Sequence, residues 1–159
     1  MKTKTYSTGE EILEIDASTG EILVEANEED YNKVKQTKIQ AFKLLSKSDF
    51  ALINGTWEAK RDGLIKILSS LPISYSWSIK ERDLTKEYAQ VVGTLSVETG
   101  SVKRSADAIG ICELSELKGN GGLHFMNTRA ETRALKRAIE TLFGSVINFY
   151  VVNYLVGRV

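Results

Sequence analysis

The chain of 159 residues has one cysteine, one histidine and one proline. A lone cysteine, Cys112, excludes a disulfide within the chain and suits a reducing, cytoplasmic interior. With His124 as the only imidazole, a zinc site of the Cys/His type is not expected, nor any other metal or cofactor. No unbroken apolar run reaches the roughly 18 residues of a membrane span, so no membrane partner is expected. Met1-Lys-Thr-Lys-Thr5 has no hydrophobic stretch behind it, so no signal peptide is expected.

Catalytic constellations are equally scarce. His124 has no nucleophile near it in sequence, and the carboxylates do not converge on a recognisable pair. Cys112 sits mid-strand beside Ile109 and Ile111 and reads as a packing residue. Lys118-Gly-Asn-Gly-Gly122 precedes a helix but lacks the Gly-Lys-Ser/Thr ending of a nucleotide triphosphate loop. A polynucleotide phosphate can still meet the N–H groups of such a helix start. A non-catalytic protein is expected.

Charge is present in balance, with 21 basic and 21 acidic residues, but it is unevenly placed. Residues 1–31 hold nine acids against two lysines, a net −7. Residues 32–159 hold nineteen basic against twelve acidic residues, a net +7. A basic body favours an anionic partner, nucleic acid above all. Docking of the acidic segment on the body is the plainer alternative.

Glu10–Asp16 and Glu21–Glu25 are short β-prone segments around the turn Ala17-Ser-Thr-Gly20 and read as an acidic hairpin, an appendage spanning 1–27. Residues 1–8 are polar and expected to fray. A single domain is expected over 28–159. Residues 28–46 read as a helix with acids at its start. Its lysines, Lys35, Lys38 and Lys43, with Lys47 beyond, read as a solvated face. Asn54-Gly55 between apolar arms predicts a tight hairpin over 50–59. A helix over 61–71 follows, ended by Pro72.

Ile73–Ile79 alternates strictly, and Tyr88–Val97 and Val102–Glu113 follow as strands joined by short turns. This predicts an antiparallel meander. The aromatics Trp57, Tyr75, Trp77 and Tyr88 read as core first, with stacking on unpaired bases as the alternative. Met126–Phe143 is the strongest helix. Ala130, Ala134 and Ala138 line one stripe, and Arg129, Arg133 and Arg137 a parallel one. Asn127 or Thr128 would cap its start and Gly144 would end it. Residues 145–156 fit either a last strand or a continuing helix. The expected class is α+β: a three- to four-stranded antiparallel meander covered by a long helix, with an N-terminal hairpin.

Taken alone, the Arg stripe reads as solvated, or as paired with Glu131, Glu140 and the acidic hairpin. Its company shifts the balance towards a phosphate-binding set: Arg61, Lys66, Lys103, Arg104, Arg129, Arg133, Lys136 and Arg137.

The run Ala106-Asp-Ala-Ile-Gly-Ile-Cys-Glu113, a loop, and then Ala130-Glu-Thr-Arg-Ala-Leu-Lys-Arg-Ala-Ile139 resembles the annealing domain of the single-strand annealing recombination mediators, the Rad-fifty-two-like proteins and their phage and archaeal relatives. The resemblance spans about residues 50–144. It implies a β-β-β-α core that assembles as a homo-oligomeric ring or filament. It further implies single-stranded DNA, or RNA, held in a basic groove, and strand annealing in recombination or repair without ATP. By position Lys136 and Arg137 match the family's DNA-contacting basic pair, and Arg61 matches more loosely. Glu140 stands where a further basic residue is expected. The alternative is a non-catalytic interaction or assembly module, in which the acidic hairpin docks on a neighbouring subunit.

Overall fold

The structure, a computed structural model, describes residues 4–8, 11–15, 22–23, 28–119 and 121–156. Strands β1 (Lys4–Thr8), β2 (Glu11–Ile15) and β3 (Ile22–Leu23) form an antiparallel sheet, with Lys4 opposite Ile15 and Glu14 opposite Leu23. The expected hairpin is thus β2–β3. Its turn, residues 17–20, lies outside the described residues. Residues 4–8, expected to fray, are instead a third strand, because pairing with β2 satisfies backbone groups that composition alone leaves to water.

Helix α1 (Glu28–Leu44) leads through a short 3-10 helix, Lys47–Asp49, into β4 (Phe50–Ile53) and β5 (Thr56–Ala59). Between these strands Asn54 and Gly55 both take positive φ, 50° and 80°. That is the geometry a two-residue hairpin needs to match strand twist. The hairpin stands as a sheet of its own and does not extend the meander, which therefore has three strands rather than four. Helix α2 (Arg61–Ser70) stops at Leu71, whose ψ of 150° is the extended conformation that a following Pro72 imposes.

The meander is β6 (Ser74–Leu84), β7 (Tyr88–Thr99) and β8 (Val102–Glu113), in that spatial order. Strand β6 runs five residues past the expected Ile79, with a register shift between Ile79 and Glu81. The central strand β7 alternates without a break: Ala89, Val91, Leu95 and Val97 are buried on one face.

Helix α3 (Leu123–Tyr150) covers that face and runs on as a wider, π-type coil through Val156. Ala130, Ala134 and Ala138 are all fully buried. They allow an approach so close that a Cβ on Gly110 of β8 would lie 1.9 Å from the Ala130 carbonyl oxygen and 2.5 Å from the Ala134 nitrogen. Among the described residues two neighbouring clusters make the core. One joins Met126, Ala130 and Ala134 to Val91 and Cys112. The larger joins Ile139, Phe143 and Val146 to Leu64, Ile67, Leu95 and Val97. Trp77 packs against both, its ring lying over Gly93, where a Cβ would fall 2.3 Å from it. Cys112 is fully buried.

Two features of α3 differ from the sequence expectation. Its N-cap is Gly122, five residues before Asn127 and six before Thr128, so both of these are interior. The Asn127 side chain accepts from Arg82, and the Thr128 hydroxyl donates to the His124 carbonyl at 2.9 Å. Nor does Gly144 end the helix. Helical spacing beyond it is rewarded by packing: Phe42 of α1 meets Phe149 edge-on at 5.5 Å, and Tyr150 stacks on Phe50 and on Tyr154, each at 5.2 Å. Tertiary contact overrides the local stop signal. The resulting helix, Leu123–Val156, spans 34 residues, and its most apolar window has a mean hydropathy of 1.3. By length and composition alone it is long and apolar enough to cross a membrane, as core helices of soluble proteins also are. Its inward residues Leu142, Phe143, Val146 and Leu155 belong to the main core.

Candidate nucleic-acid interface

The Arg stripe faces the outer edge of β8. Four residues of helix rise about 6 Å and two residues of strand about 6.8 Å, so side chains on a helix can follow alternate carbonyls of a strand beside it. Arg137 donates to the Ile109 carbonyl at 2.6 Å, and Arg133 donates to that of Ile111. The increasing helix number against the decreasing strand number sets α3 antiparallel to β8. The open edge carbonyls that an end strand leaves unpaired are thereby satisfied in part by guanidinium groups.

Arg133 also forms a two-pronged pair with Glu116 of the short 3-10 helix Leu114–Leu117, one prong at 3.0 Å. The Glu116 carboxylate accepts the Glu113 N–H as well, at 3.0 Å. The Arg133 hydrogen bonds, then that N–H, hold the Glu116 carboxyl at about 2, with the charge of Arg129 adding to the effect. A depressed carboxyl stabilises the fold above its ordinary value of 4.5, and that stability is lost as pH falls from there towards 2. Glu116 is partly exposed, so after solvent screening the pair contributes about 1 kcal/mol. Glu116→Gln is therefore expected to lower stability by that amount at pH 7, and the difference from the parent should vanish near pH 2. Urea midpoints at the two pH values measure it.

Lys136 projects to the other side of the row. Its ammonium lies 3.9 Å from Glu58 of β5 and 3.8 Å from Glu140, one turn along α3. Burial pushes the Glu140 carboxyl up and Glu58 pushes the same way, against the pull of Lys136 and Arg137. Between β5 and α3 runs a cleft of about 760 Å³. Arg133, Lys136, Arg137 and Glu140 line it from the helix, and Trp57 and Glu58 from the hairpin. Gly144, helical and half-buried, lines it further along α3.

The eight basic residues grouped from sequence thus separate. Arg133, Lys136 and Arg137 share the cleft. Arg129 is exposed near Glu116 at the start of the row. Lys66 is bound to Asp49 at 2.5 Å and ties α2 to the turn before β4. Burial pushes the Asp49 carboxyl up, but hydrogen bonds from Lys66 and Ser46 outweigh it and hold it below its usual range. Arg61 lies at the surface beside Asp62 at 3.4 Å. Lys103 pairs with Glu98 at 3.7 Å on the sheet face away from α3. Arg104 is on the helix-covered face, donating to the Leu142 carbonyl at 3.3 Å with its guanidinium 5.8 Å from the Phe143 ring centroid.

The acids that partner the row were only partly anticipated. Glu140 does pair, but with Lys136, and Glu131 pairs with Arg82 of β6 at 3.2 Å. Glu58 and Glu116 carry no sequence signal, being far along the chain from their partners. Of the four aromatics, Trp57 alone lines the cleft, while Trp77 packs in the core and the Tyr88 hydroxyl donates to Asp83 at 2.5 Å. No protein-family model matches the chain, and no curated protein matches it.

Proposed function

We propose that this α+β protein belongs to the class that holds single-stranded nucleic acid by its phosphates, without catalysing a reaction on it. More particularly, its motif order favours a strand-annealing protein of recombination or repair, resembling the Rad-fifty-two-like annealing domain and acting as a homo-oligomer.

The observation that carries this reading is the cleft, where Arg133, Lys136 and Arg137 line one wall opposite a half-buried indole, Trp57. A row of cations tracks a phosphate backbone without regard to sequence, and an aromatic wall suits unpaired bases. Self-association is supported by the apolar end of α3, where Phe149, Val152 and Val156 are 40, 53 and 54% exposed. Binding of labelled oligo(dT), followed by fluorescence anisotropy across a salt series, tests the reading. Absence of binding at low salt would contradict it. Self-association without oligonucleotide binding would favour the second reading, an assembly module, which the same apolar end supports.

A further inference from the structure

The cleft does not present its cations freely. Lys136 is half-buried between two carboxylates, Glu58 across the cleft at 3.9 Å and Glu140 beside it at 3.8 Å. A phosphate approaching Lys136 meets those carboxylates first. Like charges in a partly desolvated site repel strongly, so strand and carboxylates compete for one ammonium. Arg133, by contrast, is held by Glu116 at the outer end of the row. Arg137 turns towards the Ile109 carbonyl.

We propose that Glu58 and Glu140 are a built-in competitor for nucleic acid: they occupy Lys136 as a phosphate would, and the strand enters the cleft fully only when Glu140 takes up a proton or is displaced. This rests on the reading of the cleft as a nucleic-acid site and adds a control to it. The groups that face Glu140 are Glu58 from β5 and Lys136 and Arg137 from α3.

The two carboxylates that hold the row differ in kind. The Glu140 carboxyl is raised by its burial and by Glu58, so its charge is the easier to remove on mild acidification. Glu116, held at about 2, keeps its charge and its arginine throughout that range. Falling pH therefore removes one of the two carboxylates on Lys136 and leaves Arg133 in place. Affinity for a phosphate chain thus rises as pH falls and Glu140 takes up a proton.

The test uses labelled oligo(dT), whose bases carry no group that titrates between pH 5 and 7.5, at constant ionic strength. At pH 7.5 Glu140→Gln is expected to bind about fivefold tighter than the parent protein, since one of the two carboxylates competing for Lys136 is removed. At pH 5 the advantage should be smaller than at pH 7.5, because the parent's own Glu140 takes up protons as pH falls. Lys136→Met should erase the Glu140→Gln advantage, because the coupling runs through that ammonium. Glu58→Gln, expected to act in the same direction by about two- to threefold, serves if Glu140→Gln does not fold by circular dichroism. If the parent binds but neither carboxylate variant binds tighter at pH 7.5, the competitor is overturned and the nucleic-acid reading stands. If no form binds at either pH, the reading falls and the competitor with it.

Discussion

Removing the charges of Lys136 and Arg137 together, as Lys136→Met with Arg137→Met, is expected to weaken oligo(dT) binding about 50-fold at moderate salt. Each charge-assisted contact to a phosphate contributes about 1–1.5 kcal/mol, and two such contacts compound to roughly that factor. The dependence of log affinity on log salt should also flatten by about 1.4, at about 0.7 per phosphate contact on a single strand. Neither side chain anchors the core. The Arg137 hydrogen bond to Ile109 lies at an exposed edge where water can replace it, and the Lys136 contacts to Glu58 and Glu140 are both beyond 3.7 Å. Lys103→Met is the matched control. Lys103 carries the same charge but lies on the far face of the sheet against Glu98, so its loss should change affinity by less than about twofold. Equal losses from both sites would mean diffuse attraction rather than a groove.

The second large effect is on folding. Gly110→Ala is expected to destabilise the protein by about 3 kcal/mol, read from the urea midpoint. The added methyl would sit 1.9 Å from one backbone atom of α3 and 2.5 Å from another. Backbone cannot rotate away as a side chain can, so the helix must lift off the sheet. That motion opens both core clusters, since Met126, Ala130 and Ala134 leave one and Ile139 and Phe143 the other. A loss of this size is a large share of the roughly 5–15 kcal/mol that holds an ordinary domain together. Gly144→Ala on the same helix makes the opposite case. Nothing lies within 4 Å of a Cβ there, and the backbone is helical, so alanine should stabilise by about 0.5–1 kcal/mol.

These two glycines also mark what the chain reveals of its fold. Gly144 follows an apolar-periodic segment and reads as a helix stop. It is not one, because Phe42 and Phe50, roughly a hundred residues earlier, supply the partners that continue the helix. Local signals work where the answer is local. Asn54-Gly55 specifies its hairpin through the φ values it tolerates, and Pro72 ends α2 through its own sterics. Strict alternation marks the first half of β6, where Trp77 and Ile79 turn to the core and the serines between them away from it.

Alternation fails for the second half of β6. Lys80, Glu81, Arg82 and Asp83 interrupt the apolar pattern, yet the strand continues through a bulge at the sheet edge. There Lys80 reaches Asp107 at 2.8 Å and Arg82 reaches Glu131, so charge stands where apolar contact was sought. The site was half visible for a related reason. The spacing of Arg133 and Arg137 along one helix face is a property of the helix and can be read from four-residue steps. Their partners come from elsewhere, the β8 edge carbonyls and Glu116, as does Glu58, the cross-cleft partner of Lys136. Which cations share a cleft, and which are tied down as Lys66 is by Asp49, depends on how the hairpin and α2 pack against α3.

The most direct test of the central claim is the affinity of the unmodified protein for single-stranded oligo(dT) as salt rises from 50 to 200 mM. Two to three phosphate contacts in the α3–β5 cleft predict binding at the lower salt that weakens about tenfold at the higher. No binding at 50 mM, or an affinity indifferent to salt, would contradict it.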